Sequence, residues 1–296
     1  MSDLAVAVAT FRNRPASRRR RTKSAVLTAL LIAAVVVALG VLAWVLVYVG
    51  IQGFGALSPA FFTHNPPGNP SVAGGGFFNG IAGSLIVVGI AAAIGVPLGV
   101  GAAVYLVEYG RGRISGTIRF FNDVLIGIPT IVIGAFVYAI WVTRFGFSGF
   151  AGSLALAIVI LPLVTRTTEE MLRLVPNDLR ESSLALGATR SQTVLRVSLP
   201  TALPGIITGA MLAIARAMGE TAPLLLTALG NDLFTQLNPG KRMSTLSLQI
   251  FDNAATGFRE AQSRAWAGAL TLIAIVLILT FVARYFGRRV RTAGDR

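Results

Sequence analysis

The chain has 296 residues, 54% of them hydrophobic and only 13% charged, with a mean hydropathy of +0.72, whereas a soluble domain carries about 25% charged residues. It has no cysteine, which excludes disulfides and thiolate metal sites. The net charge of +14 gathers beside apolar runs, the placement of topology signals and not of a nucleic-acid footprint. Several runs near twenty apolar residues predict an all-α, polytopic membrane helix bundle.

Residues 1–24 carry Arg12, Arg14, Arg18, Arg19, Arg20, Arg21 and Lys23 against Asp3 alone. They predict a basic tail, too polar to bury a core, that holds the start of the first helix in the cytoplasm. The first span, 25–49, is longer than a signal-peptide core and lacks a small-residue cleavage site, so it is read as retained. Helix-hostile stretches at 63–70 and 74–76 mark an external loop. His64, the single histidine, has no clustered partner there and reads as an ordinary loop residue, with no metal site. The second span, 80–106, includes Gly95 and Gly99, a small-xxx-small face for close helix packing. Arg111, Arg113 and Arg119 place the next connection inside. The third span, 124–142, contains Pro129 and Gly134; a short external turn at 144–149 leads to the fourth, 150–164, with Pro162. A polar loop at 166–200 follows, then a fifth span at 204–228, a polar external segment at 231–264 and a sixth span at 266–281. Residues 25–285 thus form one transmembrane domain of six spans, with a basic cytoplasmic tail at 286–296 and both termini inside. Lys241, Arg242, Arg259 and Arg264 in the external segment are a mild departure from the positive-inside rule.

The loop at 166–200 holds nine charged residues, five Arg and four acids, between two apolar blocks. Asp178 is placed to cap a helix with Glu181 at its third position, and Gly187 to end it in a left-handed conformation. Thr189 then caps a second helix, with Gln192 three residues on, and Pro200 closes it. The expectation is a helix–turn–helix along the membrane surface. Local physics balances two uses for it: capping the bundle, or docking a partner.

The run Glu181-Ser182-Ser183-Leu184-Ala185-Leu186-Gly187, nine residues, then Val197-Ser198-Leu199-Pro200 resembles the Glu-Ala-Ala…Gly…Ile-x-Leu-Pro motif of bacterial ABC-importer permeases. Serines replace the two motif alanines and valine the isoleucine. The resemblance implies a type I importer permease with six transmembrane helices. It also implies that Glu181, Ser182, Ser183, Ala185, Gly187, Val197, Leu199 and Pro200 form a coupling loop seated in an ATPase subunit. The chain has no phosphate-cradling Gly-x4-Gly-Lys-Ser/Thr loop: its one Gly-Lys, Gly240-Lys241, is followed by Arg242, with Thr235 where the first glycine belongs. A non-enzymatic subunit is expected, with no cofactor of its own and ATP bound by the partner.

In the fifth span, Arg216 and Glu220 are spaced i,i+4. Arg216 falls about 18 Å into the span at roughly 1.5 Å per residue, near mid-membrane, where a bare charge is costly. Two readings stand, an ion pair buried between helices and a cavity-lining arginine on an anion path with Glu220 and Thr221; the cost of the charge favours the second. The run Arg216-Ala217-Met218-Gly219-Glu220-Thr221-Ala222-Pro223-Leu224, with Arg166-Thr167-Thr168-Glu169-Glu170-Met171-Leu172 and Ile128-Pro129-Thr130-Ile131-Val132-Ile133-Gly134, is similar to the PstA family of phosphate-specific permeases over about residues 77–285. That likeness implies import of inorganic phosphate across a bacterial cytoplasmic membrane. The implied partners are a PstC-like sister permease, a PstB-like ATPase dimer and a PstS-like phosphate-binding protein. The alternatives are a PstC-type subunit or a permease for another oxyanion, sulfate or molybdate. An ion-coupled secondary transporter gives no reason for the coupling motif, and an intramembrane enzyme lacks a nucleophile with its base.

Overall fold

A computed structural model of the chain describes residues 18–110 and 112–293. Most of the expected basic tail, 1–17, lies outside the described residues, as do 294–296. In chain order the helices are α1 (Arg18–Ala56), α2 (Phe78–Tyr109), α3 (Arg113–Gly127), α4 (Thr130–Phe145), α5 (Gly149–Arg173), α6 (Asn177–Ala185), α7 (Arg190–Met218), α8 (Ala222–Leu225), α9 (Leu246–Ala254) and α10 (Arg259–Ala293). The only strand-like pairing among the described residues is an isolated bridge between Leu229 and Met243. Helices α1, α2, α5, α7 and α10 are long and apolar enough to cross a membrane, and α3 with α4 makes a sixth, broken span. The described residues form an all-α bundle of membrane-spanning helices.

The residues up to Ile51 form one unit, of which the described part is helix α1 with almost all of its described side chains exposed; the residues from Gln52 form the second unit. Within the second unit α2 packs along α5, and α5 and α10 both pack on α7. The core is built of Val87 and Ala91 from α2, Leu156 and Ile160 from α5, and Ala213 from α7. Lipid tails are as apolar as leucine, so close packing, and not transfer out of water, holds such helices together. Gly95 and Gly99 supply it: a Cβ on Gly95 would lie 3.0 Å from the Ala157 carbonyl, and one on Gly99 would lie 3.0 Å from that of Leu161.

The third span is not the straight helix expected at 124–142. The span bends by 104° between its two arms because Ile128, held extended at φ −72° and ψ 130°, precedes Pro129. Proline bars the residue before it from the helical region and has no N–H for the helix ladder.

The fifth span differs at both ends. It stops at Met218 and not at 228, since a helix continued through Pro223 would drive the ring into the Gly219 carbonyl. The chain restarts as α8, with Pro223 in its first turn, where no N–H is needed. At the other end Pro200 does not close a separate helix. A π turn over Val194–Ser198 precedes it, and α7 runs on from Arg190 through Pro200 as one helix.

The polar loop is shorter than expected, because α5 continues to Arg173. Pro176, not Asp178, occupies the cap position of α6, and Asp178 lies inside the first turn, where a carboxylate still favours the helix dipole. Helix α1 begins at Arg18, so 18–24 are helical, and α10 continues past 285 to Ala293. The polar segment at 231–264 folds back onto the bundle. Thr245 caps α9, whose Leu246 N–H donates to Ser84 Oγ at 2.8 Å.

Candidate functional site

Two polar groups stand out from the apolar bundle, one at mid-height and one at the end that carries α6. The first is built around the broken end of α7. Arg216 lies in the last turn of that helix, Gly219 caps it, and Glu220 lies beyond. The pair expected on one helix face therefore meets across a helix end: Arg216 Nε is 3.7 Å from Glu220 Oε1. A residue from the other side of the sequence joins them. Thr130 Oγ1 donates to Glu220 Oε2 at 3.1 Å, and Ser247 Oγ donates to the Glu220 carbonyl at 3.0 Å.

The bend at Pro129 brings Thr130 there. It turns α4 against α8 so closely that a Cβ on Gly134 would lie 2.7 Å from the Pro223 Cα. A cavity of about 30 Å³ lies beside the guanidinium, walled by Ile128, Thr130, Pro162, Leu163 and other apolar groups. Pro162 is midway along the 25-residue α5, which fixes the height of Arg216 in the bundle. The Glu220 side chain is 16% exposed, whereas that of Arg216 is 58% exposed. An ion pair sealed between this chain's own helices would bury both charges; here the guanidinium faces outward. At that height its charge needs a partner or water. The apolar walls strengthen its attraction for an anion by lowering the local dielectric. Thr221 is half-buried at the turn into α8, where its carbonyl accepts from Leu224 N and Leu225 N.

The second group is the helix–turn–helix. Gly187 has φ +85°, which a side chain would resist, and Thr189 with Gln192 forms the full capping box expected of them. Glu181, Ser182, Ala185, Gly187 and Pro200 are exposed. Leu186 at the turn is 89% exposed, beside exposed Leu179, Leu184 and Leu195. Ser183 turns inward, its hydroxyl 3.0 Å from that of Thr193. Val197 and Leu199 are half-buried, and Leu199 packs on the cluster of Leu172, Val175, Ala202 and Ile206.

A set of ion pairs that the sequence reading did not foresee fixes this end. Glu169 accepts from Arg119 Nε at 2.9 Å and from Arg173 Nη2 at 2.6 Å, tying α3 to α5. Arg180 of α6 pairs with Glu108 at the end of α2. Their partners lie up to 72 residues apart, and only isolated charges at the ends of apolar runs hinted at them. Among the described residues no group of three or more His, Asp or Glu could hold a metal.

Residues 95–292 match the family model described as binding-protein-dependent transport system inner membrane component. The chain is 42% identical over 269 residues to the phosphate transport system permease protein PstA of Haemophilus influenzae, covering 90% of this chain and 94% of that protein. It is 43% identical over 267 residues to the PstA of Yersinia pestis, covering 90% of each. Among solved structures, a bacterial alginate ABC transporter in complex with an alginate-loaded periplasmic protein superposes with a TM-score of 0.67 at 15% identity, over 91% of this chain and 96% of that one. The inward-facing MetNI methionine transporter gives 0.59 at 21% identity, over 71% and 94%. At such low identity these two speak for the fold alone.

Proposed function

This chain belongs to the family of binding-protein-dependent transport system inner membrane components, among the PstA permeases, and from that premise we propose that it forms part of the path by which inorganic phosphate is imported. The observation that carries the proposal is Arg216, an outward-facing guanidinium at the mid-height of the bundle, held by Glu220. Its open side faces away from this chain's own helices, which suits a path completed by a second, PstC-like permease. The guanidinium attracts the anion. Phosphate near neutral pH keeps a proton that it can donate to the second Glu220 oxygen, whereas sulfate can only accept. Thr130 holds that oxygen in place, and Thr221 lies beside the path.

Energy enters at the other end. The chain binds no ATP in this reading. Exposed Glu181, Ser182, Ala185, Leu186 and Gly187 seat in a PstB-like ATPase dimer, while Ser183, Val197 and Leu199 shape the element from within. A PstS-like binding protein delivers phosphate on the opposite face. The end carrying α6 is cytoplasmic, as are both termini, in a bacterial cytoplasmic membrane.

The test is uptake of labelled phosphate by cells lacking this chain, with sulfate and molybdate as competitors. Restored uptake that excess sulfate and molybdate leave unchanged is expected on re-expression. Competition by either would move the assignment to that oxyanion.

A further inference from the structure

Glu108 and Tyr109, the last two residues of α2, hold both arms of the helix–turn–helix. Arg180 Nε of α6 donates to Glu108 Oε1 at 3.2 Å, and the Glu108 side chain is only 7% exposed. The same guanidinium donates to the Leu172 carbonyl at 2.7 Å and the Val175 carbonyl at 2.9 Å, at the end of α5. One residue further along, the Arg190 guanidinium lies 5.3 Å from the centre of the Tyr109 ring. A guanidinium fork with several fixed acceptors resists the rotation that a single contact permits. Arg180 therefore joins α6 to α2 and α5, two helices already locked together at Gly95 and Gly99.

The second arm is connected differently. Helix α7 runs unbroken from Arg190 to Met218, so it carries Arg216 on the same rod. The two arms meet at the left-handed Gly187. Each connects to the lining of one cavity, the first through α5, which contributes Pro162 and Leu163, the second through α7, which contributes Arg216.

We propose that the Arg180–Glu108 pair is a pin that passes displacement of α6 to α2 and the α5 packed on it, and so to the α5 side of the Arg216 cavity, while the second arm moves Arg216 directly. The inference rests on the reading of α6 as the ATPase-facing element. Arg180 and Glu108 are positioning residues; neither touches the cargo.

The experiment uses the full transporter, this chain with its sister permease, ATPase pair and binding protein, in proteoliposomes. Two quantities are read: phosphate accumulated per ATP hydrolysed, and the change in maleimide reactivity of a Leu163→Cys thiol when nucleotide is trapped with vanadate. The chain has no cysteine of its own to compete. Glu108→Gln is expected to keep ATP hydrolysis within about twofold, to lower phosphate per ATP roughly tenfold and to remove the nucleotide-dependent change in labelling. Glu108→Asp, which keeps the charge, is expected to recover most of both. A Glu108→Gln transporter with its labelling change intact overturns the pin. So does loss of hydrolysis and assembly together in both variants, the mark of a purely structural pair. Labelling does not depend on cargo, so a wild-type complex whose thiol responds to nucleotide but which carries no phosphate defeats the phosphate assignment alone. A wild-type thiol that ignores nucleotide overturns the pin along with the docking role of α6.

Discussion

Arg216 has 58% of its side chain exposed beside a mostly apolar cavity lining at the height of Pro162, and its energetics decide what substitutions there do. A charge-assisted hydrogen bond is worth about 1.5–3 kcal/mol. Arg216→Ala is therefore expected to lower phosphate uptake by roughly 10–100-fold while the complex still co-purifies. A collapse of assembly would instead mark the pair as structural. Glu220→Gln keeps the shape but replaces an acceptor with a donor facing Arg216, so flux should fall with assembly intact; unchanged uptake removes Glu220 from the mechanism. Thr130→Val deletes the one side-chain hydrogen bond to Glu220 Oε2. A bond to a charged acceptor contributes about 1.5–3 kcal/mol, but Thr130 acts on the cargo only by orienting Glu220, so a loss of a few-fold in flux is expected, smaller than for Arg216→Ala. Arg216 and Glu220 were legible in the sequence because a charge inside an apolar run is conspicuous. Thr130 was not, because a hydroxyl in such a run is ordinary and its partner lies 90 residues away.

At the level of elements, two turns carry the design. Gly187 sits in the left-handed region, where an L-residue costs about 1–2 kcal/mol and a β-branched one is worse. Gly187→Val should displace α6 relative to α7 and uncouple ATP hydrolysis from uptake, or prevent ATPase binding. Normal phosphate accumulation per ATP would sink that role. The bend at Pro129 depends on tight contact behind it. Gly134→Val places carbon against the Pro223 backbone, and overpacking of that kind costs about 1–3 kcal/mol. A lower melting temperature of the purified complex is the expected sign; an unchanged melt would mean that α4 and α8 separate freely. Caps and breakers were readable where the signal is local: Thr189 with Gln192, and Gly187, stand where the sequence put them. Pro200 and Pro223 were misread because a proline ends a helix only if the neighbouring ladder cannot adjust. A π turn makes the adjustment before Pro200, whereas the chain breaks ahead of Pro223.

For the molecule as a whole, the absence of cysteine from the chain makes topology directly testable. A Leu186→Cys thiol, on the most exposed part of the turn, should react with a membrane-impermeant maleimide only in inside-out vesicles. A Phe234→Cys thiol, exposed on the 231–264 segment, should react only from the outside of intact cells. The reverse pattern would invert the proposed orientation. The Leu186→Cys thiol should also be shielded when the ATPase is bound, since docking and labelling compete for the same surface.

The sequence by itself determined the fold class, the approximate places of the spans and the polar element between them. Each of these follows from hydropathy and local turn chemistry, which act over a few residues. Only the tertiary structure decided that the third span is bent, that α7 ends at Met218, and that Thr130 reaches Glu220. It alone paired Glu108 with Arg180 and Glu169 with Arg119. In a bundle where lipid offers no gain for burying one apolar face rather than another, helix partners are chosen by close approach and by charges that need each other. Such contacts join residues distant in the chain, and no local pattern records them.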